Sequence, residues 1–113
     1  MLYRQPNLSL FKFDTKKGRK TMILAKKIRM KSGCYSSNSL LEIDEIYLEG
    51  KYMNGFYKKG AVYDSLISSP HSIQVDHSPY PYLLPALSSR GEKYVRSEAN
   101  DSTADNLLKL PRV

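Results

Sequence analysis

The side chains able to do chemistry are few and scattered. Asp101, Asp105 and Asn106 are oxygen donors of the kind that hold a hard cation such as Mg²⁺. The same residues also fit a capped turn, with Asp101 or Ser102 as N-cap and with Asp105 and Asn106 tying the loop to backbone groups. That structural role is the expected one, because a nuclease site wants two or three converging carboxylates. His71 and His77 bracket a short run beside Asp76. On an extended chain they stand about 20 Å apart, too far for one metal or one catalytic pair. Cys34, the sole cysteine, sits between Gly33 and Tyr35 with no local histidine or basic partner that makes a nucleophile convincing, so a buried or inert thiol is expected. One cysteine makes neither an internal disulfide nor a Cys-rich zinc site. Gly-rich phosphate loops, GxSxG and HExxH are absent from the sequence. No catalytic residue, metal or cofactor is expected.

Side chains suited to binding are more numerous. Residues 1–31 hold Arg4, Lys12, Lys16, Lys17, Arg19, Lys20, Lys26, Lys27, Arg29 and Lys31 against the single acid Asp14, a net charge of +9. Residues 32–113 sum to −2, so the whole excess of +7 sits at one end. A basic segment on a near-neutral body attracts polyanions, RNA and DNA foremost. Gly91-Glu92-Lys93-Tyr94-Val95-Arg96 reads as a strand with Glu92, Tyr94 and Arg96 on one face and Lys93 and Val95 on the other. An arginine fork beside an aromatic plate suits single-stranded RNA; a Glu92–Arg96 ion pair with a half-buried Tyr94 is the structural alternative. There are 9 tyrosines and no tryptophan. Tyrosine suits half-buried sheet positions and also binding surfaces. Tyr80 and Tyr82, set among Pro79, Pro81 and Pro85, are the expected exposed contacts.

Elements must position these groups. The 113 residues are one domain's length, and 41% hydrophobic with 26% charged is a globular composition. No apolar run reaches the roughly 20 residues of a membrane span. Residues 1–21 read as a basic extension, with Leu8, Leu10 and Phe11 able to pair as a short edge strand, and 22–113 as a single α+β domain. Strands are expected at 23–30, where Ile28 and Met30 share a face opposite Arg29, at 40–49, and at the short KYM run 51–53 before an Asn54-Gly55 turn. The spacing of Val62, Leu66 and Ile67 predicts a helix over 59–68, stopped by Pro70. Residues 72–76 alternate as a strand. Residues 77–85 read as a proline-rich extended strap. Residues 86–97 read as strand, turn at Ser89-Arg90-Gly91, strand. A helical turn pinned by Leu107, Leu108 and Leu110 and ended by Pro111 closes the chain. The fold class is α+β: a small, mostly antiparallel sheet of four to six short strands, one short helix and a C-terminal helical turn.

Residues 72–113 resemble a family of small uncharacterised bacterial proteins ending in a GEKYVRS stretch, a polar loop and DNLL-x-LP. The matching positions are Gly91 to Ser97, then Asp105, Asn106, Leu107, Leu108, Leu110 and Pro111. Tyr47-Leu48-Glu49-Gly50 and Pro70 to Val75 are similar too, which extends the resemblance from about residue 23 to the end. The family is a domain of unknown function and offers no catalytic residues. Its members resemble accessory proteins of phages, plasmids and conjugative elements, among which are inhibitors of CRISPR effectors. Residues 1–21 depart from the shorter pattern.

Together these observations lead to a non-enzymatic accessory protein that binds RNA or a ribonucleoprotein. In its sharpest form it inhibits a CRISPR effector nuclease by blocking guide-RNA loading or DNA entry. The binding residues expected are Lys12, Lys16, Lys17, Arg19, Lys20, Lys26, Lys27, Arg29, Lys31, Lys93 and Arg96, with Tyr80, Tyr82 and Tyr94 as partner contacts. A small ribonuclease, metal-dependent or metal-free, and a homodimeric interaction module pairing through sheet edges are the alternatives. The N-terminus lacks a continuous apolar stretch and a cleavage site, so a cytoplasmic location without membrane association is expected.

Overall fold

A computed structural model describes residues 22–99 and 104–113. Its elements run β1 (Ile23–Met30), a 3₁₀ turn (Leu40–Glu42), β2 (Ile43–Gly50), β3 (Met53–Lys58), α1 (Lys59–Ser68), β4 (Ile73–Val75), β5 (Leu83–Leu87), β6 (Lys93–Ser97) and a second 3₁₀ turn (Asn106–Lys109). The expected α+β class holds, with six strands, one helix and a C-terminal 3₁₀ turn among the described residues. The larger sheet has the order β3-β2-β1-β4, and β5-β6 form a hairpin. The larger sheet is mixed, because β4 joins β1 in parallel. Among the described residues, no helix is long and apolar enough to cross a membrane.

β1 is the central strand, and alternation alone would misplace half of it. Ile23 and Ala25 are buried, and so are Ile28 and Met30. The phase changes because the register with β2 shifts between Ala25 and Lys27, leaving Lys26 as an extra residue. On its other edge β1 takes β4 at Ile23–Ala25. Further along, the Ile28 N–H donates to Pro111 O at 2.9 Å, and the Val113 N–H donates to Ile28 O at 3.0 Å. The C-terminus therefore completes the pairing of the central strand.

The two sheets are joined. The Val75 N–H donates to Pro81 O at 2.9 Å, and Gln74 bridges Tyr82. The Glu98 N–H then donates to Tyr82 O at 2.8 Å. α1 covers the inner face with Val62 and Leu66, which join one core with Ile46, Leu48, Ile73, Val75, Leu83, Val95, Leu107 and Leu110. Full burial of such aliphatic side chains is worth about 1.5–3 kcal/mol each.

Several expectations are corrected. Residues 40–42 form a 3₁₀ turn, capped by the Ser39 side chain, and β2 starts only at Ile43. Asn54-Gly55 lies inside β3, and the β2–β3 turn is at Lys51-Tyr52. Ile67, expected on the inner face of α1, is 58% exposed. β5 begins within the expected strap and includes Pro85; the strand pairs only with β6, so the missing N–H costs no ladder bond on its other side. The C-terminal N-cap is Asp105, not Asp101 or Ser102, which lie outside the described residues, as does the expected strand of Leu8, Leu10 and Phe11.

Asp105 and Asn106 act as a latch. The Asp105 carboxylate accepts from Ser97 Oγ at 2.6 Å, from the Ser97 N–H at 3.0 Å and from the Leu107 N–H at 2.9 Å. Asn106 is wholly buried, and its Nδ2 donates to His77 O at 3.1 Å and Ser78 O at 2.9 Å. This is the structural role expected for the pair. Asn106→Ala should lower stability by about 1–3 kcal/mol through unpaired carbonyls, read as a lower urea midpoint at unchanged m-value. A change under about 0.5 kcal/mol would mean the latch is not what holds this loop.

Candidate functional site

The outer face of the joined sheet collects the outward positions of every strand. One row runs Asn54–Glu49–Leu24–Gln74–Tyr82 across β3, β2, β1, β4 and the start of β5. The next runs Phe56–Tyr47–Lys27, and the third Lys58–Glu45–Arg29. On the hairpin, Leu84 faces Arg96 and Ala86 faces Tyr94.

The second and third rows form one cluster. The Tyr47 and Phe56 rings meet edge to face, with centroids 5.1 Å apart. Lys27 Nζ lies 4.7 Å from the Tyr47 centroid, and the Arg29 guanidinium carbon lies 3.9 Å from that of Phe56. Arg29 Nη1 donates to Glu45 Oε1 at 2.6 Å. Lys58 reaches Asp44 at 3.1 Å and Glu45 at 3.6 Å, and its amine is held above the usual lysine range, chiefly by its hydrogen bond to Asp44. Lys27 makes no ion pair among the described residues.

The expected basic residues have different fates. Lys12, Lys16, Lys17, Arg19 and Lys20 lie outside the described residues. Lys26 binds Asp76 at 2.8 Å, and the hydrogen bond to that carboxylate raises its pKa. Lys31 and Lys59 share Glu92 Oε2, at 3.3 and 2.6 Å. Lys93 pairs with Asp64 at 2.7 Å, away from the outer face. Arg96 lies on the outer face, free of ion pairs among the described residues; the Glu92–Arg96 pair weighed from the sequence does not form, because Glu92 turns to the two lysines. Tyr94 and Tyr82 are half-buried on the outer face, and Tyr82 meets the His71 ring at 4.9 Å.

Tyr80 is 50% exposed, as expected, but its backbone was not foreseen. Its φ of 61° is the left-handed region, which a bulky side chain enters at a cost. The conformation is held by Tyr80 N–H donating to His77 O at 2.8 Å and by Gln74 Nε2 donating to Tyr80 O at 3.0 Å. Cys34 packs partly against the core, and burial pushes its thiol up, which fits an inert group. Among the described residues no group of three or more His, Cys, Asp or Glu is placed to hold a metal. The shallow depression lined by Asn38, Leu40, Ala104, Asp105, Leu108 and Lys109 has a carboxylate already engaged in the latch.

Phe56 was missed because the Asn54-Gly55 pair signals a turn, which removes Phe56 from any strand. Once β3 is known to continue, its opposition to Tyr47 follows from the register.

The chain is a small α+β protein whose outer sheet face carries aromatic and cationic side chains among the described residues. Its residues 67–111 match the family described as a protein of unknown function, DUF3892. That segment runs from the end of α1 through the latch, so the match covers less of the chain than the resemblance and leaves out Lys27, Arg29, Tyr47 and Phe56. No curated protein and no solved structure matches the chain.

Two outcomes follow. Hydrogen bonds from Lys59 and Lys31 hold the Glu92 carboxyl below its usual range. Its pairing therefore stabilises fully above pH ~4.5 and is lost as the pH falls further, through the lowered folded value. The stability gap between the natural chain and Glu92→Gln, measured by urea melts from pH 7 to 3, should shrink below that point; a constant gap would assign Glu92 no linkage. Separately, Tyr80→Gly should raise stability by about 0.5–1 kcal/mol in thermal melts, the relieved strain exceeding the added chain entropy. A loss of stability would mean that the ring supports the fold.

Proposed function

We propose that the chain is a non-enzymatic binding protein for a nucleic acid or nucleoprotein, acting through its basic N-terminal residues and the outer sheet face. The observation that carries this is the charge: ten basic residues against one acid in residues 1–31, ending on β1, where Lys27 stands beside Tyr47 with no acidic partner among the described residues. Lys26, Arg29, Lys31 and Lys93 are balanced by carboxylates and contribute less net attraction. Among the described residues Lys27 therefore carries the larger share, with Arg96 on the same face, and residues 16–20 add the charge their sequence holds. The narrower role, inhibition of a CRISPR effector by blocking RNA loading or DNA entry, rests on the family resemblance alone; it requires tighter binding to the effector than to free RNA. A ribonuclease built on Asp105 is disfavoured by the three protein donors its carboxylate already accepts.

The test is binding of the full chain to a structured RNA over 50–200 mM salt, followed by a denaturing gel of the same samples. Affinity should fall steeply with salt, and the RNA should stay intact. Replacing Lys16, Lys17, Arg19 and Lys20 with glutamine should flatten the log–log slope by about 3, as four lost phosphate contacts require. Shortened RNA would favour the enzyme. No binding at low salt would turn attention to a protein partner or a second copy.

A further inference from the structure

We infer that the Phe56–Tyr47–Lys27 row, with Arg29 beside it, is a stacking site for the bases of a single-stranded nucleic acid. This rests on the binding function proposed above and names its substrate class. Three observations support it. First, the two rings lie on the outward face of the sheet, Tyr47 on the inner strand β2 and Phe56 on the edge strand β3. They are half-buried, while the inner face is filled by aliphatic side chains and Tyr57. Second, the cations are of two kinds. Lys27 has no acidic partner among the described residues, so its amine is available to a phosphate. Arg29 is fixed by Glu45 at 2.6 Å and lies over Phe56 at 3.9 Å. Its charge is balanced, so it offers a stacking plane more than a net charge, and guanidinium planes take unstacked bases as aromatic rings do. Third, charge complementarity names the occupant. The residues that lead into β1 carry Arg4, Lys12, Lys16, Lys17, Arg19 and Lys20 against Asp14. A chain so basic brings a polyanion to the face where β1 begins.

A duplex cannot use this site, since its bases are already stacked on each other and paired. A single strand can lay one base on the outer plane of the Arg29 guanidinium, which itself lies over Phe56, and another on Tyr47 as Lys27 leaves that ring for a phosphate. Glu45 and Glu49 on the same face would repel a backbone laid across them, which favours a path along the row from β3 toward β1.

The experiment uses the full chain and two fluorescent probes, a 12-nucleotide oligouridylate and a 12-base-pair RNA duplex, both titrated at the same low salt concentration. Tyr47→Leu keeps an apolar side chain at a half-buried strand position, and circular dichroism verifies its fold. Oligouridylate should bind at least tenfold more tightly than the duplex. Tyr47→Leu should weaken it roughly 5- to 150-fold, the range of one base–aromatic stack, while leaving the duplex affinity unchanged. Lys27→Ala, which leaves both rings in place, should weaken both probes by a few-fold. Equal affinity for the two probes, or an equal loss of both on Tyr47→Leu, would overturn the stacking site and leave the charge-driven function standing. Absence of binding to either probe at low salt would overturn the function and this site with it.

Discussion

A single carboxylate decides where the last ten residues of this chain go. Asp105 takes both the backbone and the hydroxyl of Ser97 at the end of β6, and caps the turn that follows with the Leu107 N–H. Ser97 Oγ in return accepts from the Asn106 N–H at 3.2 Å, and Asn106 itself is wholly buried. A buried polar group left without partners costs about 1–3 kcal/mol, so these groups fix each other's positions strictly. With Asp105 fixed, Leu107 and Leu110 enter the core, and Arg112 and Val113 arrive alongside Ile28. Arg112 then donates to Tyr35 O at 2.8 Å and Ser37 O at 2.7 Å, tying down the loop after β1. Beyond Ala25, the edge of the central strand opposite β2 finds its backbone partners at Ile28 because the polar latch delivers the C-terminus. The GEKYVRS and DNLL-x-LP stretches that carry the family resemblance supply both halves of this latch. In them Ser97, Asp105 and Asn106 serve the architecture.

The electrostatics follow a similar division. The cations of β1 and its neighbours look like one basic patch in the sequence, but the fold sorts them. Lys26 is drawn to Asp76 beyond β4, Arg29 to Glu45 across β2, and Lys31 to Glu92 at the start of β6. Exposed pairs of this kind are worth only about 0–1 kcal/mol each, so they set geometry more than stability. Lys59 differs. It is the first residue of α1, where the helix dipole disfavours a cation, and its side chain is only 11% exposed. Its amine stays there because Leu41 O and Glu92 both accept from it at 2.6 Å. The effect is to seat the helix N-terminus against both the first 3₁₀ turn and the β5–β6 hairpin.

What could be read from the residues depended on how local the deciding interactions are. The extents of β1, α1 and β4 and the hairpin turn at Ser89-Arg90 were legible, because apolar content and turn chemistry act within a few positions, though the change of phase within β1 was not. The β2–β3 turn was not. Asn54-Gly55 is a strong hairpin signal, yet it lies in β3, where pairing with Leu48 and Glu49 outweighs local preference. The parallel union of β4 with β1 and the closing contact of the C-terminus are long-range, and no local pattern announces them. Of the site, the cations were visible individually but their neutralisation was not, since each acid partner is distant in sequence. Tyr80 was legible as an exposed contact; its left-handed backbone, set by Gln74 and His77, was not.

The outer face itself depends on two irregularities of register, an extra residue at Lys26 in β1 and another at Asp44 in β2, which turns Glu45 and Tyr47 outward behind the buried Ile43. Continued from Ile23 and Ala25, strict alternation would turn Lys27 and Arg29 inward and put Ile28 and Met30 in solvent. Two buried cations with no acid at hand would prevent the core from forming. The extra residue at Lys26 resets the phase, so Ile28 and Met30 reach the core and Lys27 and Arg29 come out opposite Tyr47 and Glu45. A shorter segment could have kept the core by ending β1 early, but it would then lose the edge that Pro111 and Val113 pair with. The bulge reconciles three demands at once: a full-length central strand, a wholly apolar inner face, and cations placed beside the aromatic rings. That the KK pair falls at this point is therefore a condition of the fold, and the cationic, aromatic surface is its direct consequence.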